Sequence, residues 1–252
     1  MRTYCFTIDD NIRFLKEITE GAPSSLFHHP YTGMLRRLHE RFGIKIQLNL
    51  FYRMAGFTLS EMTDHYKSEW QANADWLKLS FHSLEEVASP YLTASYDEVF
   101  ADCAAVHREI LRFAGKASLA ATTTVHCCHT TRAGVQALSN LGIRGLLGLF
   151  GTRTSYSLSD DVAEILRQGK TLSLEGITYG NLDLVINNLK RDEILPALAA
   201  LLHHDEIHVM IHEQYFYTDY RAYQEDFEEK LAITFARLHD AGFKNLFFEE
   251  MI

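Results

Sequence analysis

Residues 35–53 read LRRLHERFGIKIQLNLFYR, an amphipathic helical pattern that ends at Gly43 and leads directly into a run of strand-forming residues. A glycine at this point is typical of the left-handed residue that ends a helix. The run after it is apolar on both faces, as expected of a strand covered by helices on one side and by a core on the other. The stretch therefore predicts a helix followed by a buried strand.

The same order of helix, glycine and strand recurs in VQALSNLGIRGLLGLF (135–150) and in KLAITFARLHDAGFKNLFFEEMI (230–252). Further strand patterns lie at residues 4–8, 76–82, 120–126 and 207–212. With the strands after the three glycines, these patterns predict about seven strands in a parallel α/β fold. We expect one domain that spans residues 1–252, which is an ordinary length for an α/β barrel.

Two local patterns complete the predicted fold. Residues 95–115 place apolar side chains at helical spacing behind the capping pair Ser95 and Glu98, which predicts a long helix. Residues 152–190 break the helix-to-strand rhythm and alternate polar with apolar residues around two glycines. This alternation predicts a β-rich excursion, a hairpin beside the barrel.

Composition and charge exclude several classes of protein. The chain has 24 basic and 33 acidic residues, a net charge of −9 and no run rich in Lys or Arg, which argues against a nucleic-acid partner. No apolar stretch approaches the roughly 20 residues of a membrane helix, and no basic-then-apolar leader is present. Cys5, Cys103, Cys127 and Cys128 form no CxxC pair, which is typical of a reducing interior. We therefore expect a soluble, cytoplasmic protein with no membrane partner.

Acids and histidines recur where the predicted strands end. In a parallel α/β fold the working side chains lie at the carboxyl ends of the strands. The residues found there, in chain order, are Asp9, Asp10, Tyr52, Arg53, His82, His126, His212, Glu213, Glu249 and Glu250. Their shared location indicates a metal site or a general base at this end of the fold. The alternative for Asp9, Asp10 and Asn11 is a simple turn, because these residue types bond their own backbone.

The segment LSFHSLEE (79–86) offers two metal ligands. His82 and Glu86 are four residues apart, so a helix that began here would place both on one face. Imidazole nitrogen and carboxylate oxygen suit Zn²⁺, Mn²⁺, Co²⁺ or Fe²⁺, and Asp10 would add a further oxygen. Three protein ligands with one open position can activate a water molecule. The alternative for Glu86, an acid favoured in the first turn by the helix dipole, remains open.

Taken together, these residues resemble the polysaccharide deacetylase family, the NodB-homology domain of carbohydrate esterase family four. The family motif T-F-D-D is matched by Thr7-Ile8-Asp9-Asp10, and H-[S/T]-x-x-H by His82-Ser83-Leu84-Glu85-Glu86. The resemblance implies a distorted (β/α) barrel, Asp9 as the catalytic base, and Asp10, His82 and Glu86 on a divalent metal, with zinc first. It also implies that His212 protonates the leaving amine.

The chain departs from this family at two places. Glu86 replaces the second metal-binding histidine, and the R-x-P-Y motif, whose arginine steadies the catalytic aspartate, has no match. After the fourth strand the chain instead reads HCCHTTR, which offers His126, His129 and Arg132. His126 is therefore an alternative third ligand, with Glu86 behind it in the second coordination shell.

The resulting functional hypothesis is a metal-dependent hydrolase of C–N or ester bonds. Its reaction would remove an acyl group from an N-acetylated sugar or a related small amide by means of metal-activated water, so the partner is a small-molecule or oligosaccharide substrate. The alternative is a catalytically degenerate barrel that binds carbohydrate or metal without hydrolysis. A sugar isomerase is a third option, although T-x-D-D at the first strand argues against it.

Overall fold

The computed structural model describes residues 1–151 and 155–252, and within these residues α-helices separate most of the parallel strands. The strands are β1 (Thr3–Asn11), β2 (Ile46–Phe51), β3 (Arg53–Met54), β4 (Phe57–Thr58), β5 (Leu77–Ser83), β6 (Thr122–Thr123), β7 (Gly145–Gly148), β8 (Leu172–Leu174), β9 (Ile177–Asn181), β10 (Leu184–Val185), β11 (Glu206–His212) and β12 (Lys244–Asn245). The α-helices are α1 (Arg13–Gly21), α2 (Pro30–Phe42), α3 (Lys67–Ala72), α4 (Tyr96–Phe113), α5 (Arg132–Asn140), α6 (Asp160–Arg167), α7 (Ile194–Leu201) and α8 (Phe227–Asp240). Each strand predicted from the sequence is present, although β6 and β12 are only 2 residues long.

The strands form two larger sheets and one small ribbon. In the first sheet the order is β10-β11-β1-β2-β5, every pair is parallel, and β12 pairs with the start of β1. In the second sheet the order is β6-β7-β9-β8, and only the β8–β9 pair is antiparallel. The ribbon is the antiparallel pair β3–β4. The central strand, β1, is the one that carries Asp9 and Asp10.

Short backbone links join the two sheets on both sides. On one side the Ala120 N–H donates to the Leu79 carbonyl of β5 at 2.9 Å. On the other side β9 runs into β10, and the Asp183 N–H donates to the His208 carbonyl of β11 at 2.9 Å. Strand pairing is not continuous across these links. The strands therefore form the predicted distorted (β/α) barrel, which is incompletely closed.

The predicted helix ends are confirmed. Gly43 has a φ of 64°, and its N–H donates to the His39 carbonyl at 2.7 Å, so it caps α2 in the left-handed conformation. Gly142 and Gly242 also have positive φ values. The Ser95–Glu98 capping box begins α4 as the sequence predicts.

The interior of the barrel is polar. Asp9 of β1 contacts Asn49 of β2, and Gln47 of β2 contacts Thr122 of β6. Because β2 and β6 are not neighbouring strands, the Gln47 contact can only be made across the inside of the barrel. The opposite face of β1 is apolar, and Phe6 packs against α8. Asp9 and Asn49 therefore meet inside the barrel, beneath its carboxyl end. The expectation that the strand after Gly43 is apolar on both faces is wrong, because Gln47 and Asn49 form the inner face of β2.

Two expectations for residues 152–190 need correction. Residues 152–154 lie outside the described residues, and residues 160–167 form α6, a helix that the sequence analysis did not predict. Asp160 and Asp161 favour this helix, because acids in the first turn complement the helix dipole. The predicted hairpin is present as β8–β9, but β9 also pairs in parallel with β7. β9 is thus a strand of the barrel, and the hairpin does not lie beside the barrel as predicted.

The helix expected to begin at His82 is absent. Strand β5 continues through Ser83, which pairs with Phe51 of β2, and the chain then bends. The bend is held by the Leu84 N–H, which donates to the Tyr91 hydroxyl at 2.9 Å. The helical spacing argument for His82 and Glu86 is therefore wrong, because strand pairing persists one residue beyond the histidine.

The acids near the end of the chain lie at the opposite end of the barrel from the predicted site. The Glu249 carboxylate bonds the Lys78 ammonium group and the Ala121 N–H, and Glu250 pairs with Lys45. All three partners lie at or just before the amino end of a strand. The pairing of β12 with the first residues of β1 places the preceding segment at the same end of the barrel. The expectation that Glu249 and Glu250 join the site is therefore wrong. Within the described residues, no helix is both long and apolar enough to cross a membrane.

Candidate metal centre

Strand β1 ends in a bulge at Asp10. The residue has a φ of 61°, in the left-handed region, and the register between β1 and β2 shifts between Ile8 and Asn11. Most residues adopt this conformation only at a cost of about 1–2 kcal/mol, whereas Asp and Asn tolerate it better than others. The bulge aims Asp9 and Asp10 at different partners, and both side chains are almost completely buried.

Asn11 holds the bulge in place. Its side-chain N–H group donates to the Ile8 carbonyl at 2.5 Å and to the Asn49 carbonyl at 3.2 Å. Its side-chain oxygen accepts from the Tyr31 hydroxyl at 2.9 Å. Asp9, Asp10 and Asn11 thus form a turn fixed by hydrogen bonds, and the same turn carries the two carboxylates of the candidate site.

Three potential metal ligands converge at this end of the barrel. Asp10 Oδ1 lies 3.0 Å from His82 Nε2 and 3.3 Å from His126 Nδ1, and the two ring nitrogens are 3.1 Å apart. His82 Nδ1 lies 2.5 Å from the Thr124 carbonyl, which can only accept a hydrogen bond. The proton of the neutral ring is therefore on Nδ1, and Nε2 is free to bind a metal.

The electrostatics separate the two neighbouring aspartates. Burial raises the pKa of Asp9, against the opposing effect of His82, His212 and Asn49. Burial acts in the same direction on Asp10, but hydrogen bonds with His126 and His82 outweigh it and hold the pKa of Asp10 well below its usual range. The bond with Asp10 outweighs burial at His126 and raises its pKa to about 10. Acid–base sites often contain carboxylates whose environments push their pKa values apart.

Of the two alternatives for the third ligand, the geometry favours His126. Asp10, His82 and His126 each offer a ligand atom within 4.8 Å of the others, and Glu86 is not part of this group. Glu86 is exposed and lies at the rim of the adjacent cavity. Cys127, which follows His126, has a φ of 59° in a tight left-handed turn. The sequence gives no signal for this turn, because cysteine is not a residue typical of it.

His212 lies on the other side of β1, in register with Asp9. Its Nδ1 lies 2.9 Å from the side-chain oxygen of Asn187, which holds the ring and leaves Nε2 for other contacts. Gln214 donates to Asp10 Oδ2 at 2.6 Å, so the second carboxylate oxygen of Asp10 is also fixed. The side chains of β11 and the turn after it thus complete one wall of the site.

The three additional residues singled out from the sequence lie outside the cluster. Arg53 forms a two-pronged ion pair with Glu85 at 2.9 and 2.7 Å on the rim. His129 lies 3.3 Å from the Ser89 hydroxyl, and Arg132 pairs with Glu175 on the surface. The side chain that bonds Asp9 is Asn49, which donates to Asp9 Oδ1 at 2.6 Å.

Glu213, one of the strand-end acids, has a supporting role that the sequence analysis did not predict. Its buried carboxylate accepts the backbone N–H groups of Ile12 and Phe14 at 2.7 Å each, and that of Arg13 at 3.2 Å. It also accepts the Tyr217 hydroxyl at 2.7 Å. These donors begin α1, so Glu213 caps that helix from the far end of the chain. Burial raises the pKa of Glu213 to about 7.

Replacing this acid should destabilise the fold. In Glu213→Gln the amide N–H₂ would face backbone N–H donors, and we expect the free energy of unfolding at pH 8 to fall by about 2–4 kcal/mol. Urea denaturation followed by circular dichroism measures the change. The matched control is Glu225→Gln, an exposed site, which should match the parent. Equal midpoints for all three proteins would show that Glu213 does not hold the start of α1.

A cavity of about 630 Å³ opens above the cluster. Its lining includes Asp10, Phe51, Arg53, Gln214 and Tyr220. Its volume lies within the range of about 300–1,000 Å³ that is typical of small-molecule sites. The cavity therefore brings a ligand of modest size to Asp10, the member of the cluster that lines it.

Solved structures with this fold include several carbohydrate-active enzymes. The chain matches the 4-alpha-glucanotransferase from Thermococcus litoralis over 99% of its own length and 40% of that chain, with 14% identity and a TM-score of 0.61. A family 4 acetyl xylan esterase from Clostridium thermocellum, in complex with a cobalt ion, matches over 99% of this chain and 90% of its own, with 12% identity and a TM-score of 0.57. The match to the Bc1960 peptidoglycan N-acetylglucosamine deacetylase covers 99% of this chain and 87% of that chain, with 10% identity and a TM-score of 0.51.

No protein-family model and no curated protein matches the chain. The structural matches, at 10–14% identity, show that the chain shares the fold of the carbohydrate esterase family 4 enzymes. The same fold carries a glucanotransferase and two deacylating enzymes. Because one fold hosts different reactions, function has to be argued from the side chains of the site.

Proposed function

We propose that the protein is a metal-dependent hydrolase that removes an acyl group from an N-acetylated sugar or a related small amide. The observation that carries the proposal is the convergence of Asp10, His82 and His126 beside the buried Asp9 at the carboxyl ends of the strands. Two ring nitrogens and one carboxylate oxygen suit Zn²⁺, and also Mn²⁺, Co²⁺ or Fe²⁺. We expect zinc.

The donor set fits a divalent ion, and the chain supplies the remaining groups. Asp10, His82 and His126 would hold the ion, which would lower the pKa of a bound water and polarise the substrate carbonyl. Asp9 lies next to these residues and would take the proton of the attacking water as general base. Its position inside the barrel and its bond to Asn49 keep the carboxylate in one orientation.

His212 would protonate the departing nitrogen. The ring is held by Asn187 through Nδ1, so Nε2 is the atom that would donate the proton. Asp9 and His212 lie in register on adjacent strands, which supports a base and an acid acting on one substrate.

The cavity supports a small-molecule or oligosaccharide substrate. Tyr220, which is partly exposed on the cavity wall, offers a face on which a sugar ring can pack. Among the described residues no disulfide joins any of the four cysteines, which supports a cytoplasmic location.

Metal content is the first test of the proposal. After reconstitution with Zn²⁺ and removal of the excess, we expect the parent to hold about one equivalent, because the described residues contain one cluster of potential ligands. His82→Ala and His126→Ala should hold none, because each removes a ligand. Glu86→Gln is the matched control and should keep the metal. Loss in Glu86→Gln with retention in His126→Ala would instead assign the third ligand to Glu86.

The loaded parent is then assayed for acetate release from N-acetylglucosamine oligomers and small acetamides, with a chelator-treated sample as reference. Release that depends on the metal supports the hydrolase. A parent that binds neither Zn²⁺, Mn²⁺ nor Co²⁺ contradicts it. That result would favour a degenerate barrel that binds carbohydrate without cleaving it.

A further inference from the structure

A chain of buried polar side chains runs from Asp9 across the inside of the barrel. Asn49 Nδ2 donates to Asp9 Oδ1 at 2.6 Å, and Gln47 Nε2 donates to Asn49 Oδ1 at 2.8 Å. The Thr122 hydroxyl in turn donates to Gln47 Oε1 at 2.8 Å. Each of these four residues is at most 2% exposed. The chain therefore connects β1, β2 and β6 where water does not compete for the hydrogen bonds.

The direction of this chain is fixed at its far end. Gln47 Nε2 also donates to the backbone carbonyl of Thr122 at 2.9 Å, and a carbonyl can only accept. The Gln47 amide therefore cannot flip without losing this bond. Its N–H₂ group must face the oxygen of Asn49, so the N–H₂ group of Asn49 must face Asp9. A backbone carbonyl on β6 thus determines which end of Asn49 meets the carboxylate on β1.

We propose that Asn49 and Gln47 are positioning residues for Asp9. They would hold its carboxylate in place, which is the role of the R-x-P-Y arginine that this chain lacks. The inference rests on the proposed function, in which Asp9 is the base. Asn49 holds Oδ1 of Asp9 by a hydrogen bond. A bond to a charged acceptor is stronger than one between two neutral groups. Asn49 leaves Oδ2 to accept the proton. The relay orients the carboxylate with a neutral amide, where the family motif uses a cation.

The relay predicts an effect from a residue that does not touch Asp9. In Gln47→Met the shape of the side chain is kept, but Asn49 Oδ1 loses its donor, so the Asn49 amide is free to tilt away from Asp9. We expect kcat to fall about 10- to 100-fold, as for loss of a hydrogen bond to a charged group. KM and metal content should not change. Asn49→Ala should give a similar loss, and the double variant should be no worse than Asn49→Ala alone, because both changes break one relay.

Conservative variants of Thr122 separate positioning from packing. Thr122→Ser keeps the hydroxyl and should retain the parent kcat, whereas Thr122→Val removes it and should lower kcat. The matched control is Ser80→Ala on β5, a buried hydroxyl without a hydrogen-bond partner among the described residues, and it should behave as the parent. Thermal unfolding of every variant identifies any that fails to fold.

A spectroscopic measurement tests the relay without any turnover. In ¹H–¹⁵N NMR spectra of the parent, the Asn49 side-chain amide should resonate downfield and exchange slowly, and both features should be lost in Gln47→Met. If they are lost in this variant but the parent hydrolyses no substrate, the relay stands and the proposed function fails. If the parent is active and folded Gln47→Met retains its kcat and its Asn49 signal, the relay is overturned and the function stands.

Discussion

Asp9→Asn should lower the rate of acetate release by about 10²- to 10⁴-fold, the contribution typical of a general base. The amide has the shape of the carboxylate but cannot accept a proton from the attacking water. The metal should remain at one equivalent, because the ligand residues Asp10, His82 and His126 are unchanged. Initial rates of acetate release and metal content are measured on the same preparation.

The control for this variant is Asp75→Asn, which makes the same chemical change at an exposed position. It should retain the parent rate and the parent metal content. If Asp9→Asn keeps the parent rate, Asp9 is not the base. If it loses the metal, Asp9 belongs to the ligand set, and the division of roles between the two aspartates is wrong.

Asp10→Asn should weaken zinc binding by more than about 100-fold, since it removes the only carboxylate of the ligand cluster, and losses of 10- to 100-fold are already typical of outer-shell changes. Its metal-free form should unfold within about 1 kcal/mol of the metal-free parent, because Asn tolerates the left-handed conformation. Competition with a chromophoric chelator measures the affinity, and urea denaturation measures the stability.

Asp10→Ala separates the ligand from the bulge. It should lose the metal as Asp10→Asn does, and its metal-free form should be less stable by about 1–3 kcal/mol. The methyl group at a φ of 61° is strained, and the bonds to His82 and Gln214 are gone. Zinc affinity equal to that of the parent in both variants would remove Asp10 from the site.

Much of the fold could be predicted from sequence, because its signals are local. Helix-ending glycines such as Gly43 and apolar runs such as residues 46–51 depend on near neighbours along the chain. The placement of Asp9, Asp10 and His82 at one end of the barrel follows from strand direction alone. The exact metal ligands and their roles remain predictions, which the variants above test.

The rest of the site depends on contacts between distant segments. The choice between Glu86 and His126 turns on where β5 ends and on a left-handed turn at Cys127, and neither has a sequence signature. Glu213 follows the predicted His212 directly, but the α1 donors that it accepts lie at the other end of the chain. Asn49 carried a usable signal, because a polar residue inside an apolar strand must have a buried partner.

The central position of β1 has a consequence for the order in which the molecule assembles. Its two neighbours come from opposite parts of the chain, since β2 begins at Ile46 and β11 at Glu206. During synthesis one edge of β1 stays unpaired until β11 has emerged, and such edges favour aggregation of nascent chains. Pairing so remote in sequence also makes folding slow. The turn that carries Asp9 and Asp10 is therefore among the last parts of the barrel to become rigid.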